Sequence, residues 1–123
     1  MRSLWDEEKL DPLERDVKNE LLVLLSNEPE TTAWVTTVGK YRALYSDDIV
    51  NIGPEGAADV TVLYGPTGDI AFIETKTRKG TQRESQKRFE RMVKSRGGLY
   101  LIARDPHEGL DAYRRARAER MNR

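Results

Sequence analysis

Two apolar, β-rich runs joined by a short turn constrain the fold of this chain more than any other feature of its sequence. Residues 59–64 and 69–77 each read as a strand, and the intervening "GPTG" has the proline and glycines that suit a tight turn. The two runs therefore predict an antiparallel hairpin. If its strands pair symmetrically about the bond between Pro66 and Thr67, position 59 lies directly opposite position 74.

Charged residues interrupt this hairpin where a core strand would carry valines. Side chains alternate along a strand, so the face that begins with Ile70 and Phe72 continues with Glu74 and Lys76. This face turns from apolar to charged along the strand, and its charged end is expected to emerge from the core. The symmetric register also sets Asp59 against Glu74.

Two directly opposed carboxylates destabilise a sheet by a few tenths to ~1 kcal/mol, and a divalent cation between them reverses that effect. The chain has no cysteine and a single histidine, His107, which excludes a histidine or cysteine metal cluster. Hard oxygen ligands suit Mg²⁺ or Mn²⁺. The alternative is a bulge at Gly68, which would shift the pairing by one residue and turn Asp59 and Glu74 to opposite faces of the sheet.

The rest of the chain predicts helices around further strands. An amphipathic helix lies in "DPLERDVKNELLVLLSN", with Asp11 as its N-cap and Pro12 at its first position, and a second, "TQRESQKRFERMVKSR", ends at Gly97 and Gly98. "TTAWVTTV", "YRALY" and "LYLIA" are strand-like, "SDDIVNIGPEG" is a long loop or a short edge strand, and a basic helix closes the chain. This order indicates an α/β sandwich with a mixed sheet.

Length and charge limit the classes of protein to consider. A chain of 123 residues is one domain by length, and without cysteines, an apolar membrane span or a signal peptide it is expected to be soluble and cytoplasmic. Residues 1–73 contain 6 Lys or Arg and 14 Asp or Glu, a net charge of −8, whereas residues 74–123 contain 15 and 7, a net charge of +8. The basic half suits a polyanion-binding face, and solvated helices are about equally compatible with it.

The spacing of several residues resembles the PD-(D/E)XK nuclease superfamily, most closely its VRR-NUC (virus-type replication-repair nuclease) group. The shared elements are an Asp that ends a G-x-x-D turn, a strand that ends in Glu-x-Lys, a following glycine, and a glutamine six residues later. In this chain they are Gly56 with Asp59, Glu74-Thr75-Lys76, Gly80, and Gln86 followed by Phe89. The resemblance covers roughly residues 13–105. The "TTVG" stretch departs from it, because the family often has an asparagine before that glycine.

The resemblance implies a restriction-endonuclease-like α/β fold, with an α-β-β-β-α-β core whose central mixed sheet is flanked by helices. Residues 1–123 would form a single VRR-NUC-like nuclease domain, with the core at about 13–105 and a C-terminal basic helix at about 107–121. The implied activity is metal-dependent, structure-selective DNA cleavage with Mg²⁺ or Mn²⁺, in DNA repair in a bacterial or phage-infected cell. Holliday-junction resolution by a homodimer is favoured. A flap or duplex endonuclease, and a non-catalytic nucleic-acid-binding module of the same fold, stay open.

The resemblance also implies roles for individual residues. The carboxylates of Asp59 and Glu74 and the carbonyl of Thr75 would hold the metal. Lys76 would orient or activate the attacking water, or stabilise the developing negative charge. Gln86 would lie beside that lysine, but a boundary glutamine bonded to the backbone is a close rival.

An acid on the first helix completes the expected catalytic set. Glu14 lies on the apolar face of that helix and matches an early glutamate of the family. It also follows Asp11 by three residues, as a capping box requires, so a role in capping is nearly as well supported. Glu20, at the edge of the apolar face, is the substitute.

DNA contacts are expected in the basic half of the chain. The helix after the catalytic strand and the C-terminal helix hold the excess positive charge, so we expect the two to share one DNA-binding face. The residues expected to contact phosphates are Lys79, Arg83, Lys87 and Arg88.

Overall fold

The computed structural model describes residues 13–37 and 39–122, in which helices flank a four-stranded β-sheet and two further strands form a separate sheet. In chain order the elements are α1 (Glu14–Ser26), β1 (Thr31–Val35), β2 (Gly39–Arg42), β3 (Ile49–Ile52), β4 (Val60–Tyr64), β5 (Asp69–Thr75), α2 (Glu84–Ser95), β6 (Leu99–Ala103) and α3 (Pro106–Met121). The predicted mixed α/β class is confirmed. Within the described ranges, no helix has the length and apolar character needed to cross a membrane.

The main sheet has four strands in the order β1-β4-β5-β6, and it is mixed as the sequence predicts. The β1–β4 and β4–β5 pairs are antiparallel, whereas β6 runs parallel to β5. β2 and β3 form their own antiparallel pair between β1 and β4 in the chain. The strand expected in "YRALY" therefore extends only to Arg42, and β3 lies inside the segment read as a loop or a short edge strand.

The β4–β5 hairpin has the predicted symmetric register. Val60 pairs with Ile73 and Tyr64 with Asp69, so the pairing is centred on the four-residue turn and contains no bulge. Val60 and Ile73 are both fully buried. A slip of one residue would turn both to the opposite face of the sheet, and burial of the alternating apolar positions therefore specifies the register.

Two hydrophobic clusters lie on opposite faces of the main sheet. The first joins Leu21 of α1 and Tyr113 of α3 to alternate residues of β4 and β5, including Ile73. The second joins Phe89 of α2 to Tyr100 of β6, and Phe72 packs against it. Because Phe72 and Ile73 are adjacent in β5, they point to opposite faces. Helices α1 and α3 thus cover one face, and α2 covers the other.

This arrangement contradicts the expected DNA-binding face shared by α2 and the C-terminal helix, because the two helices lie on opposite sides of the sheet. Part of the positive charge of α3 is also engaged within the protein. Arg114 and Arg117 both donate hydrogen bonds to the carboxylate of Glu28, which is 9% exposed. The bonds from Arg114, which outweigh the effect of burial, hold the pKa of Glu28 below its ordinary value. These arginines attach α3 to the α1–β1 connection.

The helix ends follow local side-chain chemistry. α1 begins at Glu14, where the carboxylate of Asp16 accepts a hydrogen bond from the Leu13 amide at 3.3 Å. Leu13 is the extended N-cap and Asp16 the third helical residue, so the predicted start at Pro12 and the predicted capping-box place of Glu14 are wrong, although positions 11 and 12 themselves lie outside the described residues. Asp105 caps α3 by accepting from the amide of His107 at 2.9 Å, so the single histidine is a helix-start residue.

Candidate active site

The candidate site is centred on Asp59 and Glu74, immediately beyond the last pair of the β4–β5 ladder. The Asp59 carboxylate continues the ladder, because its Oδ2 accepts hydrogen bonds from the amide and the hydroxyl of Thr75, each at 2.9 Å. Glu74 is 1% exposed, and its Oε2 has no hydrogen-bond partner among the described residues. Glu74 follows Phe72 by two residues and so lies on the face covered by α2.

The two carboxyl groups have opposite protonation preferences. Burial raises the pKa of Glu74 to about 9, and the hydrogen bond and charge of Asp59 act in the same direction. Burial also tends to raise the pKa of Asp59, but its hydrogen bonds with Glu74 and from Thr75 outweigh this effect and lower the pKa. Without a cation, the pair therefore holds one proton at neutral pH, with Asp59 ionised and Glu74 protonated.

Lys76 is buried beside this pair and contacts the first helix. Its side chain is 8% exposed, and its Nζ lies 3.3 Å from Oε1 of Glu14 in the first turn of α1. The amide of Lys76 donates to the carbonyl of Ala103 at 2.9 Å, which joins the end of β5 to the end of β6. Of the two acids proposed on the first helix, the structure brings Glu14 to the site. Glu20 lies elsewhere, 3.5 Å from Nε2 of His107.

Gln86 is bonded to the backbone, as a boundary glutamine would be, and it also lines the cleft beside Lys76. Its side-chain oxygen accepts a hydrogen bond from the amide of Arg83 at 2.8 Å, which is the backbone-bonded arrangement. The same side chain is buried and lines a cleft of about 310 Å³. The other lining residues are Glu14, Asp59, Lys76, Thr77, Gly80, Thr81 and Arg83. The predicted catalytic residues Asp59, Lys76, Gln86 and Glu14 thus meet around one cleft.

Position 56 requires a glycine for a reason of backbone conformation and packing that the motif alone does not show. Its φ is +80°, and a Cβ atom there would lie 2.1 Å from the backbone oxygen of Ser85. The absence of a side chain lets the loop before Asp59 rest on the first turn of α2. Gly80 is also tightly placed, since a Cβ would lie 3.1 Å from the hydroxyl oxygen of Thr77. Gly56 therefore allows close approach of two backbone segments, and Gly80 leaves space for the side chains of Thr77 and Lys76 beside the cleft.

The four basic residues expected to contact DNA are all exposed, and one of them borders the acidic pair. Arg83 lines the cleft described above and a second cleft of about 520 Å³, and Asp59 lines both. Nζ of Lys87 lies 3.7 Å from Oε1 of Glu84. Lys79 and Arg88 are also on the surface.

Sequence reasoning missed two basic residues near the site. The charge of Lys18 acts on Asp59, and its spacing of four residues after Glu14 in α1 was the available signal. Arg104, directly after β6, donates hydrogen bonds to backbone carbonyls of the segment that follows Lys76. No local pattern marks Arg104, because its partners lie 24 to 27 residues away.

The donor set at the site suits a hard cation held partly by water. Within residues 13–37 and 39–122, no group of three or more His, Cys, Asp or Glu side chains is arranged to hold a metal ion. A cation here would instead use the two carboxylates, and Mg²⁺ is commonly bound by one or two carboxylates with water completing its shell. The unpartnered Oε2 of Glu74 is compatible with binding of such a cation.

Comparison of the chain with protein-family models, curated proteins and solved structures finds no match.

Proposed function

We propose that this protein is a metal-dependent, structure-selective DNA endonuclease of the VRR-NUC group, within the PD-(D/E)XK superfamily. The observation that carries the proposal is the pair formed by the buried Glu74 and the half-buried Asp59, which perturb each other's pKa, with the buried Lys76 beside it. Burying a carboxyl group that has an unpartnered oxygen costs free energy. A catalytic cation site accounts for that cost, whereas a purely structural role does not.

The order of elements also supports a restriction-endonuclease-like core. With the β2–β3 pair set aside, the chain runs α1, β1, β4, β5, α2, β6, which is the α-β-β-β-α-β order expected of that fold. In this interpretation β2 and β3 are an insertion between the first two core strands. Asp59 then lies directly before the second core strand, and Glu74 and Lys76 lie at the end of the third.

Asp59, Glu74 and the carbonyl of Thr75 are the groups that would hold Mg²⁺ or Mn²⁺. Such a cation lowers the pKa of a coordinated water and stabilises negative charge on a scissile phosphate. Because Glu74 is protonated in the metal-free pair, its proton must leave when both carboxylates bind a cation. The protein contribution is therefore to hold the two carboxyl groups next to each other before a cation binds, with Glu74 kept protonated.

Lys76 is the residue proposed to act on the attacking water or the scissile phosphate. Burial and the contact with Glu14 restrict its ammonium group to the edge of the cleft. From there it can orient the attacking water or stabilise charge that develops on the phosphate. Gln86 lines the same cleft, and its bond to the Arg83 amide holds its side chain in one orientation.

DNA is proposed to lie along the cleft and the exposed side of α2, without contact to α3. The phosphate contacts come from Lys79, Arg83, Lys87 and Arg88.

A four-way junction has two symmetric scissile phosphates, and each chain offers one candidate site, so we propose a homodimer. Sedimentation at micromolar protein tests this assembly, and cleavage of one strand at a time by a monomer would contradict both the dimer and the resolvase activity.

Two further candidates have some support. A flap or duplex endonuclease would use the same site on another DNA structure. A non-catalytic nucleic-acid-binding module would need only the exposed basic residues on α2. The acidic pair disfavours such a module, because the ionised Asp59 near a phosphate opposes binding unless a cation lies between them.

A cleavage assay decides among these functions. Purified protein is incubated with four-way junction, flap, duplex or single-stranded DNA, in Mg²⁺, Mn²⁺ or EDTA, beside the Glu74→Gln variant. We expect symmetric junction cleavage by the natural protein with either metal, and none in EDTA or by the variant. Cleavage of flap or duplex DNA alone would assign the other endonuclease activity. Tight DNA binding without cleavage in any metal would support the binding module.

A further inference from the structure

The guanidinium group of Arg104 donates hydrogen bonds to three backbone carbonyls in residues 77–80, the segment that follows β5. Nη1 of Arg104 lies 2.7 Å from the carbonyl oxygen of Thr77, 3.2 Å from that of Arg78 and 2.6 Å from that of Gly80. Nη1 carries two N–H groups, so three acceptors require at least one shared hydrogen bond. The three carbonyls therefore converge on one centre, and residues 77–80 wrap around it.

The same region is held at two further points. The amide of Lys76 donates to the carbonyl of Ala103, the residue before Arg104, at 2.9 Å. The amide of Gly80 donates to the carbonyl of Thr77 at 3.2 Å and closes the turn. The end of β6 thus holds the start of this loop through its backbone and the rest of the loop through one side chain.

The convergence of the carbonyls determines which groups of the loop reach solvent. Three of its carbonyls point inward to Arg104, while the side chains of Arg78 and Lys79 are exposed. Arg104 itself is only partly exposed, and its Nη1 is fully engaged with the backbone. It is therefore poorly placed to serve as one more DNA-binding cation.

We propose that Arg104 is a positioning residue that clamps residues 77–80 and presents Arg78 and Lys79 to the phosphate backbone of a nucleic acid. The clamp rests on the hydrogen bonds alone, whereas the phosphate partner rests on the proposed function. Arginine suits this task because its planar guanidinium group fixes the directions of the two N–H groups on Nη1. A lysine would keep the charge but lose that geometry.

Limited trypsin digestion tests the clamp without any nuclease assay. Trypsin cuts after Arg78 and Lys79, so mass spectrometry of the early fragments reports how often the loop opens. We expect Arg104→Ala to raise the cleavage rate at these two sites about tenfold, the effect of removing charge-assisted hydrogen bonds. Arg104→Lys should give an intermediate rate, and it is the informative variant if Arg104→Ala does not fold.

The matched control is Arg96→Ala. Arg96 is an exposed arginine at the far end of α2, about 18 Å along the helix from its first turn. It should leave cleavage after Arg78 and Lys79 unchanged. Unchanged cleavage at these sites in a folded Arg104→Ala protein would overturn the clamp.

Binding of fluorescently labelled junction DNA over a series of salt concentrations tests the phosphate contact. We expect Arg104→Ala to weaken binding about as much as the double variant Arg78→Ala with Lys79→Ala, and the triple variant to lose little more, because all three act through one loop. Normal affinity in Arg104→Ala would overturn the phosphate contact. If the natural protein binds no DNA, the proposed function and the phosphate contact both fail, while the trypsin result still decides the clamp.

Discussion

The carboxyl groups of Asp59 and Glu74 meet just beyond the end of the β4–β5 ladder, and in the absence of a cation they hold one proton between them. Their environments differ, because Asp59 accepts two hydrogen bonds from Thr75 whereas Oε2 of Glu74 has no partner among the described residues. The two acids should therefore respond differently to substitution. Replacement of Glu74 removes a buried carboxyl group that the folded protein must keep protonated, whereas a change at Asp59 also removes the hydrogen bonds with Thr75.

Glu74→Gln should preserve or raise the thermal stability of the metal-free protein, because the change removes a carboxyl group that resists ionisation. The increase in melting temperature on addition of Mn²⁺ should shrink, since a ligand stabilises the folded state only as far as it binds that state. Differential scanning calorimetry in EDTA and in Mn²⁺ measures both effects. A variant that keeps the full Mn²⁺ stabilisation, or that still cuts DNA at the normal rate, would refute the site.

The raised pKa of Glu74 predicts a pH dependence of stability in EDTA. The folded-state pKa is about 9 against an ordinary value of 4.5, so the folded state holds this proton more tightly than the unfolded state does. The stability contributed by Glu74 is thus complete below pH 4.5 and is lost as the pH rises toward 9, by up to about 1.4 kcal/mol per pH unit. Urea unfolding of the natural protein should show this decline. Glu74→Gln should show a flatter profile, and parallel profiles would contradict the assignment.

Glu14 should act through Lys76, which it contacts at 3.3 Å. Glu14→Gln is expected to lower the cleavage rate by up to about a hundredfold, the cost of displacing a positioned group by about 1 Å, without reducing Mn²⁺ stabilisation. Lys76→Ala should abolish cleavage and likewise keep the metal effect. The matched control is Glu20→Gln on the same helix, because Glu20 faces His107. Equal losses in the Glu14 and Glu20 variants would remove Glu14 from the site.

Gly56→Ala should destabilise the protein by about 3 kcal/mol or more, because the new methyl group adds a clash to the strain of a positive φ. The clash is with the backbone oxygen of Ser85, which would lie 2.1 Å from the Cβ atom of the alanine. Gly68→Ala is the control, since Gly68 has a similar φ of +74° but open space around it. It should cost only the left-handed strain of about 1–2 kcal/mol. Chemical denaturation measures both values, and equal costs would show that the contact with Ser85 is unimportant.

Replacing Arg83, Lys87 and Arg88 together with alanine should weaken DNA binding and flatten its salt dependence. The slope of the logarithm of affinity against the logarithm of salt concentration should fall by close to one unit for each phosphate that is no longer neutralised. Arg115→Ala is the control, because Arg115 is exposed on α3 at the opposite face of the sheet. A reduced slope in the control, or an unchanged slope in the triple variant, would place the DNA on another face.

The local features of the site could be predicted from the sequence. The length of the turn and the alternation of apolar residues specify the register that sets Asp59 opposite Glu74, because a slip by one residue would turn Val60 and Ile73 away from the cluster that buries them. The position of Lys76 on the charged end of β5 follows from the same alternation. These features depend on neighbours within one hairpin, so short-range pattern is sufficient to determine them.

Tertiary packing alone decided the features that depend on distant parts of the chain. Helical periodicity places Glu14 and Glu20 near one apolar face, but only the docking of α1 on the sheet brings Glu14 to Lys76 and Glu20 to His107. The periodicities of α2 and α3 each specify an apolar stripe without specifying which face of the sheet that stripe covers. α3 packs with α1 on one face and leaves the other to α2, and this separates two basic helices that are close in sequence. The sequence determined which residues are apolar or charged, whereas the burial of both sheet faces at once determined which of them meet.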